Sequence, residues 1–190
     1  MTSRASGFIL RLLIPGGFMD GLELRYSDYS LTDDQESVRD AFRDFFTGEC
    51  PSTRVRAAQP LGHDEKLWGQ LTEMGAAWMG LPESAGGDGA TLVDLTLIAE
   101  EAGIALAPVP FIEHAAASRA LAAAPGAPAG LLAAAAAGRR ILALAMEPAD
   151  REARQLVPGG AVARDVIALD GRTLVAVHAC LLYTSPSPRD

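Results

Sequence analysis

Apolar residues recur at helical spacing after a polar start near residue 31. Thr32 and Gln35 stand in the order typical of a capping box, in which each side chain satisfies a backbone N–H of the first helical turn. The residues that then recur every three or four positions, as on the buried face of an amphipathic helix, are Val38, Ala41, Phe42, Phe45 and Phe46. The pattern predicts a first helix that fades near Gly48 and ends before Pro51.

Four more helices are predicted by the same periodicity and by capping signals. A polar connection over residues 54–61 leads to a second helix over 64–74, and a glycine-rich loop over 83–89 leads to a third. The third is capped by Thr91 and Asp94, and its predicted apolar face consists of Leu92, Leu95, Ile98, Ala99 and Ala102. The last two helices are expected over residues 111–124 and 130–137.

The apolar pattern changes after residue 140. Residues 141–146 suit a short buried strand, and two further apolar runs flank Asp170-Gly171-Arg172, a strong hairpin signal. The predicted fold is mainly α: an N-terminal helical bundle followed by an incomplete antiparallel β segment.

The predicted boundaries divide the chain into four parts. Residues 1–30 are expected to be an extension without a structural role, 31–138 a helical domain, and 139–179 the start of a β domain. Residues 180–190 contain a Ser-Pro-Ser-Pro run that resembles the peptide from a translated sequencing adapter, so they are predicted to be a non-native tail.

Composition excludes several classes of function. A formal net charge of −8 opposes binding to nucleic acid. The two cysteines lie far apart, which fits a reducing compartment and a cytoplasmic location. No apolar run reaches the ~18 residues of a membrane-spanning helix, and the three histidines lack metal-ligand spacing, so neither a membrane nor a metal is expected.

Two features of residues 81–110 could suggest a chemical site, but their residues argue against one. The glycine-rich loop has no Lys or Arg, and Glu83 and Asp88 would repel a phosphate. Glu100 and Glu101 are adjacent on a helix and point about 100° apart, so they cannot form one acid–base pair. We expect that one of them is solvated or ion-paired and that the other caps a neighbouring helix.

The order of these residues nevertheless resembles a known family. Pro82-Glu83 is followed by Gly86-Gly87-x-Gly89 and, after ten residues, by Glu100-Glu101-x-Gly103. This order is similar to the N-terminal helical domain of the acyl-CoA dehydrogenases, FAD-dependent enzymes that desaturate acyl-CoA thioesters. The resemblance covers residues 31–177 and implies acyl-CoA as substrate, FAD as cofactor and a homo- or hetero-oligomer. The family's catalytic base belongs to a C-terminal helical domain, so the resemblance assigns no catalytic residue here.

The resemblance also assigns expected binding residues. Pro110, Phe111 and His114 match the helix start that lines the family's acyl pocket, although ordinary packing within the bundle explains them equally well. A role for His114 as acid or base is not expected.

Residues 143–148 resemble the strand that contacts the flavin, with Ala143, Ala145 and Met146 at the contact positions. Met146 replaces the usual Thr, and about twenty residues that normally follow, including an aromatic flavin neighbour, have no counterpart. Three interpretations stay open. The chain could be a fragment of an acyl-CoA dehydrogenase that supplies an acyl-pocket wall and an edge of the flavin site. It could instead be a non-catalytic subunit of a heteromeric dehydrogenase with a degenerate flavin site, or a helical interaction module. By the first two interpretations, the chain alone would bind FAD weakly or not at all.

Overall fold

Six α-helices and three strands make up the part of the chain that the structure, a computed structural model, describes: residues 30–149 and 155–178. The helices are α1 Asp33–Glu49, α2 Ser52–Ala57, α3 Glu65–Glu73, α4 Leu92–Ile104, α5 Phe111–Ala123 and α6 Ala129–Ala136. The strands are β1 Leu142–Leu144, β2 Asp165–Asp170 and β3 Thr173–His178. The mainly helical fold class is confirmed; the predictions for the N-terminal extension and the C-terminal tail fall outside the described residues.

Both capping boxes are confirmed. The Gln35 backbone N–H donates to Thr32 Oγ1 at 3.2 Å, and the Thr32 backbone N–H donates to Gln35 Oε1 at 3.1 Å. At the start of α4, the Asp94 N–H donates to Thr91 Oγ1 at 3.4 Å and the Thr91 N–H donates to Asp94 Oδ2 at 2.7 Å. These bonds satisfy N–H groups that a helix leaves unpaired in its first turn, so they fix where α1 and α4 begin.

The predicted polar connection over residues 54–61 is wrong at its start, because it contains part of the short helix α2. Pro51 precedes this helix at the N-cap position, where its fixed φ favours helix initiation. Arg54 on α2 donates from Nε to Asp64 Oδ2 at 2.7 Å, and Asp64 caps α3 by accepting the Leu67 N–H at 2.8 Å. The ion pair with Arg54 and this backbone bond lower the pKa of Asp64 to about 2.

A first hydrophobic cluster lies among α1, α3, α4 and the start of α5. Its largest buried side chains are Phe42, Phe46, Leu67, Trp68, Leu71, Ile98 and Phe111. The predicted apolar face of α4 is correct at Leu95 and Ile98 but wrong at Leu92, which is 64% exposed. Leu92 is the first residue of α4 and lies along a solvent-open groove between α4 and α5, whereas Leu97 is buried.

The three strands form a mixed sheet in the order β1-β2-β3. The predicted hairpin is confirmed: β2 and β3 pair antiparallel around Gly171, whose φ of +58° suits the tight turn. β1 was expected to belong to an antiparallel segment but pairs parallel with β2, with Leu142 opposite Asp165 and Leu144 opposite Ile167. The connection over residues 145–164 is long enough for the crossover that parallel pairing requires.

A second hydrophobic cluster joins the helices to this sheet. It consists of Ala117, Leu121, Ala135, Leu142 and Ile167, from α5, α6, β1 and β2. Helix α5 therefore contributes to both clusters, with Phe111 in the first and Ala117 and Leu121 in the second. Among the described helices, none combines the length and apolar character needed to cross a membrane.

Candidate functional site

An open, largely apolar groove of about 210 Å³ lies between α4 and α5. Its α5 side consists of the first residue of the helix and of four further residues at i, i+3, i+4 and i+7 spacing, which places these four on one face of the helix. Two of them are alanines, and their short side chains leave the groove unfilled. The lining residues are Leu92, Leu95, Thr96, Ala99, Phe111, Ile112, Ala115, Ala116 and Arg119.

Arg119 lies where this groove meets a second pocket. The second pocket, of about 400 Å³, is lined by Gly80, Pro82, Gly89, Ala90, Thr91, Arg119, Ala122 and Ala123. Nη1 of Arg119 donates to the carbonyl oxygen of Gly80 and, at 3.4 Å, to that of Ala90. Arg119 was not among the binding residues predicted from the sequence. The available signal was that it is the only charged residue between Ala115 and Ala137.

The three predicted substrate-binding residues are not all brought to this groove. Phe111 lines the groove and is 2% exposed, because its ring also packs in the first hydrophobic cluster. Pro110 is buried at the N-cap of α5 and does not line the groove. His114 is fully buried and does not line it either.

His114 instead connects α5 to the first strand. Its Nδ1 accepts the backbone N–H of Leu142 at 3.2 Å, and Nε2 lies 3.4 Å from the hydroxyl of Ser118. The tautomer with its proton on Nε2 satisfies both contacts. The ring also packs edge-to-face on Trp68 with the centroids 5.0 Å apart. Burial lowers the pKa of His114 to about 4, so the imidazole is neutral at pH 7.

Of the predicted flavin-contacting residues, Ala143 is the middle residue of β1, and Ala145 and Met146 follow the end of that strand. Ala143 is fully buried in the sheet, and the N–H of Ala145 donates to the carbonyl of Ile167 at 2.8 Å. Met146 is 73% exposed, and its thioether has no hydrogen to donate. The next backbone N–H, that of Glu147, is bonded to Gln155 Oε1 at 3.2 Å. This strand end therefore offers few hydrogen-bond donors to a polar ring.

The two adjacent glutamates have separate environments. Glu101 is 4% exposed and accepts from Arg43 Nη2 on α1 at 2.7 Å, so the ion-paired alternative is confirmed for it. Glu100 is exposed, and within the described residues it makes no capping bond to a neighbouring helix.

The glycine-rich loop uses its own amides. The N–H of Gly89 donates to Leu81 O at 2.8 Å, and the N–H of Gly87 donates to Pro82 O at 3.2 Å. These internal bonds support the interpretation of the loop as a tight connection. Within residues 30–149 and 155–178, no three His, Cys, Asp or Glu side chains cluster as metal ligands.

Comparisons with known proteins assign the helical part of the chain. Residues 32–131 match the model of the acyl-CoA dehydrogenase N-terminal domain. The chain is 39% identical over 98 residues to acyl-CoA dehydrogenase IpdE2 of Mycobacterium tuberculosis, covering 51% of this chain and 31% of that protein. It is 35% identical over 85 residues to IpdE2 of Mycolicibacterium smegmatis, covering 43% of this chain and 27% of that protein. The matched region thus spans about a third of these relatives.

Solved structures show the same fold. One is the ChsE4-ChsE5 complex from Mycobacterium tuberculosis, with a TM-score of 0.68 at 24% identity over 80% of this chain and 49% of that chain. A variant of the Tcur3481-Tcur3483 steroid ACAD gives a TM-score of 0.56 at 29% identity over 75% of this chain and 39% of that chain.

Proposed function

Because the chain belongs to the acyl-CoA dehydrogenase family, we propose that it supplies one wall of the acyl-binding site in a protein that desaturates an acyl-CoA thioester between Cα and Cβ. The observation that carries this proposal is the apolar groove between α4 and α5, which lies wholly within the residues that match the family.

The groove is suited to hold hydrocarbon. Apolar surface taken from water contributes about 25 cal/mol per Å². Leu92 and Ile112, which are 64% and 61% exposed, offer most of this surface, while Ala115 and Ala116 leave room for the ligand. The one hydroxyl in the lining, that of Thr96, is bonded to Leu92 O at 2.7 Å within its own helix. Because no carboxylate lines the groove, we assign no proton transfer to it. Its role is to position the acyl group and to exclude water.

The cofactor position differs from what the family leads one to expect. FAD, when bound to a dehydrogenase of this family, accepts the hydride from Cβ. Ala143, Ala145 and Met146 do not fit such a ring well, since the Ala145 N–H is used within the sheet and Met146 lacks a donor. We therefore derive no step through the flavin for this chain.

This misfit favours a second candidate function, that of a subunit whose flavin site is completed or supplied by a partner. The ChsE4-ChsE5 and Tcur3481-Tcur3483 structures, whose names each join two proteins, support this alternative. Mixing the purified full chain with FAD, followed by gel filtration and a visible spectrum, distinguishes the two. A colourless protein that acquires flavin only with a homologous subunit supports the partner role. A stoichiometric flavin band on the chain alone contradicts it.

The wall itself is tested by NMR titration of the ¹⁵N-labelled full chain, which detects even millimolar binding. We expect octanoyl-CoA to bind more tightly than CoA without an acyl group. Ala116→Phe fills the groove from an exposed position and should lower the affinity for octanoyl-CoA by about tenfold, which corresponds to the burial of two methylenes. Ala41→Phe is the matched control and should leave the affinity for both ligands unchanged. Ala41 lies outside the groove, and it is exposed on α1 although its spacing predicted a place on the buried face. Equal affinity for the two ligands would contradict the proposal.

A further inference from the structure

The geometry around α5 points to a substrate preference that rests on the proposed function. We propose that Arg119 recognises an oxygen acceptor on the acyl group, remote from the thioester. The preferred substrates would then be acyl-CoA thioesters that carry a carboxylate or a ketone at the far end of the acyl group.

Arg119 is placed between two spaces of different character. Towards Phe111 and Ile112 lies the apolar groove, and towards Gly80 and Ala90 lies the second pocket, with Arg119 in the lining of both. A ligand that runs along the groove past Ala115 therefore reaches the guanidinium before it reaches the second pocket.

The guanidinium is only partly used by the protein. Its bonds to the Gly80 and Ala90 carbonyls both come from Nη1. Within the described residues, Nε and Nη2 of Arg119 make no hydrogen bond, and no carboxylate lies within ion-pair distance. A guanidinium presents five N–H donors in a planar fork that matches carboxylate oxygens. Donors therefore remain to bind a ligand while the carbonyl bonds hold the side chain in position.

The surroundings determine which ligand gains from this arrangement. A plain hydrocarbon chain that fills the groove removes water from Arg119 and gives no acceptor in return. The loss of this hydration lowers the affinity that burial of the apolar chain provides. A carboxylate or ketone oxygen replaces the lost water with a hydrogen bond, and the carboxylate adds charge attraction. The neighbouring lining residues Ala115, Ala116, Ala122 and Ala123 are too short to shield the cation. Arg119 thus selects among acyl groups of equal length.

The test compares three eight-carbon thioesters on the full chain: octanoyl-CoA, its ω-carboxyl counterpart, and a counterpart with a terminal methyl ketone. CoA without an acyl group is the reference. We expect the ω-carboxyl thioester to bind about tenfold more tightly than octanoyl-CoA, as for a charge-assisted hydrogen bond, with the ketone between them. In Arg119→Gln this preference should disappear, and Arg119→Lys should restore part of the preference for the carboxylate. Arg172→Gln, at an exposed position of the hairpin turn, removes the same charge outside both pockets and should keep the preference.

Each outcome separates this inference from the proposed function. If octanoyl-CoA binds more tightly than CoA but no more weakly than the two oxygenated thioesters, the role of Arg119 is wrong and the acyl wall stands. If no thioester binds more tightly than CoA, both are wrong. A preference that persists in Arg119→Gln would place the recognition elsewhere. The comparison on the unmodified chain needs no variant, so it decides the preference even if Arg119→Gln fails to fold.

Discussion

The buried imidazole of His114 should make the stability of the chain fall between pH 6.5 and pH 4. In the folded state, burial lowers the pKa of this ring from 6.5 to about 4. Over that interval the unfolded chain binds a proton that the folded chain does not, so acid favours unfolding. The contribution of the neutral His114 ring to the free energy of unfolding is fully present above pH 6.5 and is lost as the pH falls towards the pKa of the folded state. At about 1.4 kcal/mol per pKa unit, the loss amounts to about 3 kcal/mol.

The contacts of His114 allow a variant that removes the titration and keeps the hydrogen bonds. In His114→Gln, the side-chain oxygen can accept the Leu142 N–H and the amide can donate to Ser118, which replaces two of the polar contacts that His114 makes. The variant should lose about 1–2 kcal/mol at pH 7.5 through lost packing on Trp68. Its stability should then depend less on pH than that of the unmodified chain.

Urea unfolding at pH 7.5, 6.5, 5.5 and 4.5 measures the difference. The gap between the unmodified chain and His114→Gln should narrow as the pH falls and reverse by pH 4.5, because the titration of His114 then costs the unmodified chain about 2–3 kcal/mol, more than the packing that the variant lacks. Burial also lowers the pKa of His63, so some acid dependence should persist in the variant. His178→Gln, which changes a ring that is 64% exposed, is the control. Parallel loss of stability in the unmodified chain and His114→Gln would refute the reasoning.

Two further perturbations follow from close contacts in the helical part. Gly87→Ala would place Cβ 2.1 Å from the Leu81 carbonyl oxygen, so it should destabilise the chain by several kcal/mol. Gly103→Ala, in open space near the end of α4, should be neutral or stabilise the chain by up to about 1 kcal/mol. Equal melting temperatures of the two variants would count against the loop geometry. Arg43→Met leaves the buried carboxylate of Glu101 unpaired and should lower the stability of the chain. Changing Glu101 to Met as well should recover most of this loss in urea unfolding; a double variant no more stable than Arg43→Met would contradict the pairing.

Local signals in the sequence were sufficient where the structure depends on neighbouring residues. Thr32 and Thr91 mark the starts of α1 and α4 because a capping box involves residues three apart. Gly171 marks the hairpin for the same reason. Pro51 was interpreted only as the end of α1, although a proline also favours the start of the helix that follows, and so α2 was missed.

Contacts between distant residues could not be predicted in the same way. Glu101 pairs with Arg43, 58 positions away in sequence, and His114 accepts a hydrogen bond from the N–H of Leu142, which lies on a strand 28 positions away. The parallel pairing of β1 with β2 joins two strands that residues 145–164 separate in sequence, and no local pattern encodes such a pairing. In the candidate site, the family resemblance predicted Phe111. Arg119 could be identified only from the structure, where it lies in the lining of both pockets.

The two faces of α5 differ in how freely they can evolve. Its sheet-facing side holds Ala117 and Leu121, 0% and 3% exposed, where an added or lost methylene disturbs the packing and costs stability. Its groove-facing side holds Ile112, 61% exposed, and Ala116, also exposed, where substitutions take little from either hydrophobic cluster. Related proteins that share this helix can therefore diverge in the shape of the groove while the attachment of α5 to the sheet stays constant. Libraries for altered ligand preference are best confined to positions 112, 115, 116 and 119.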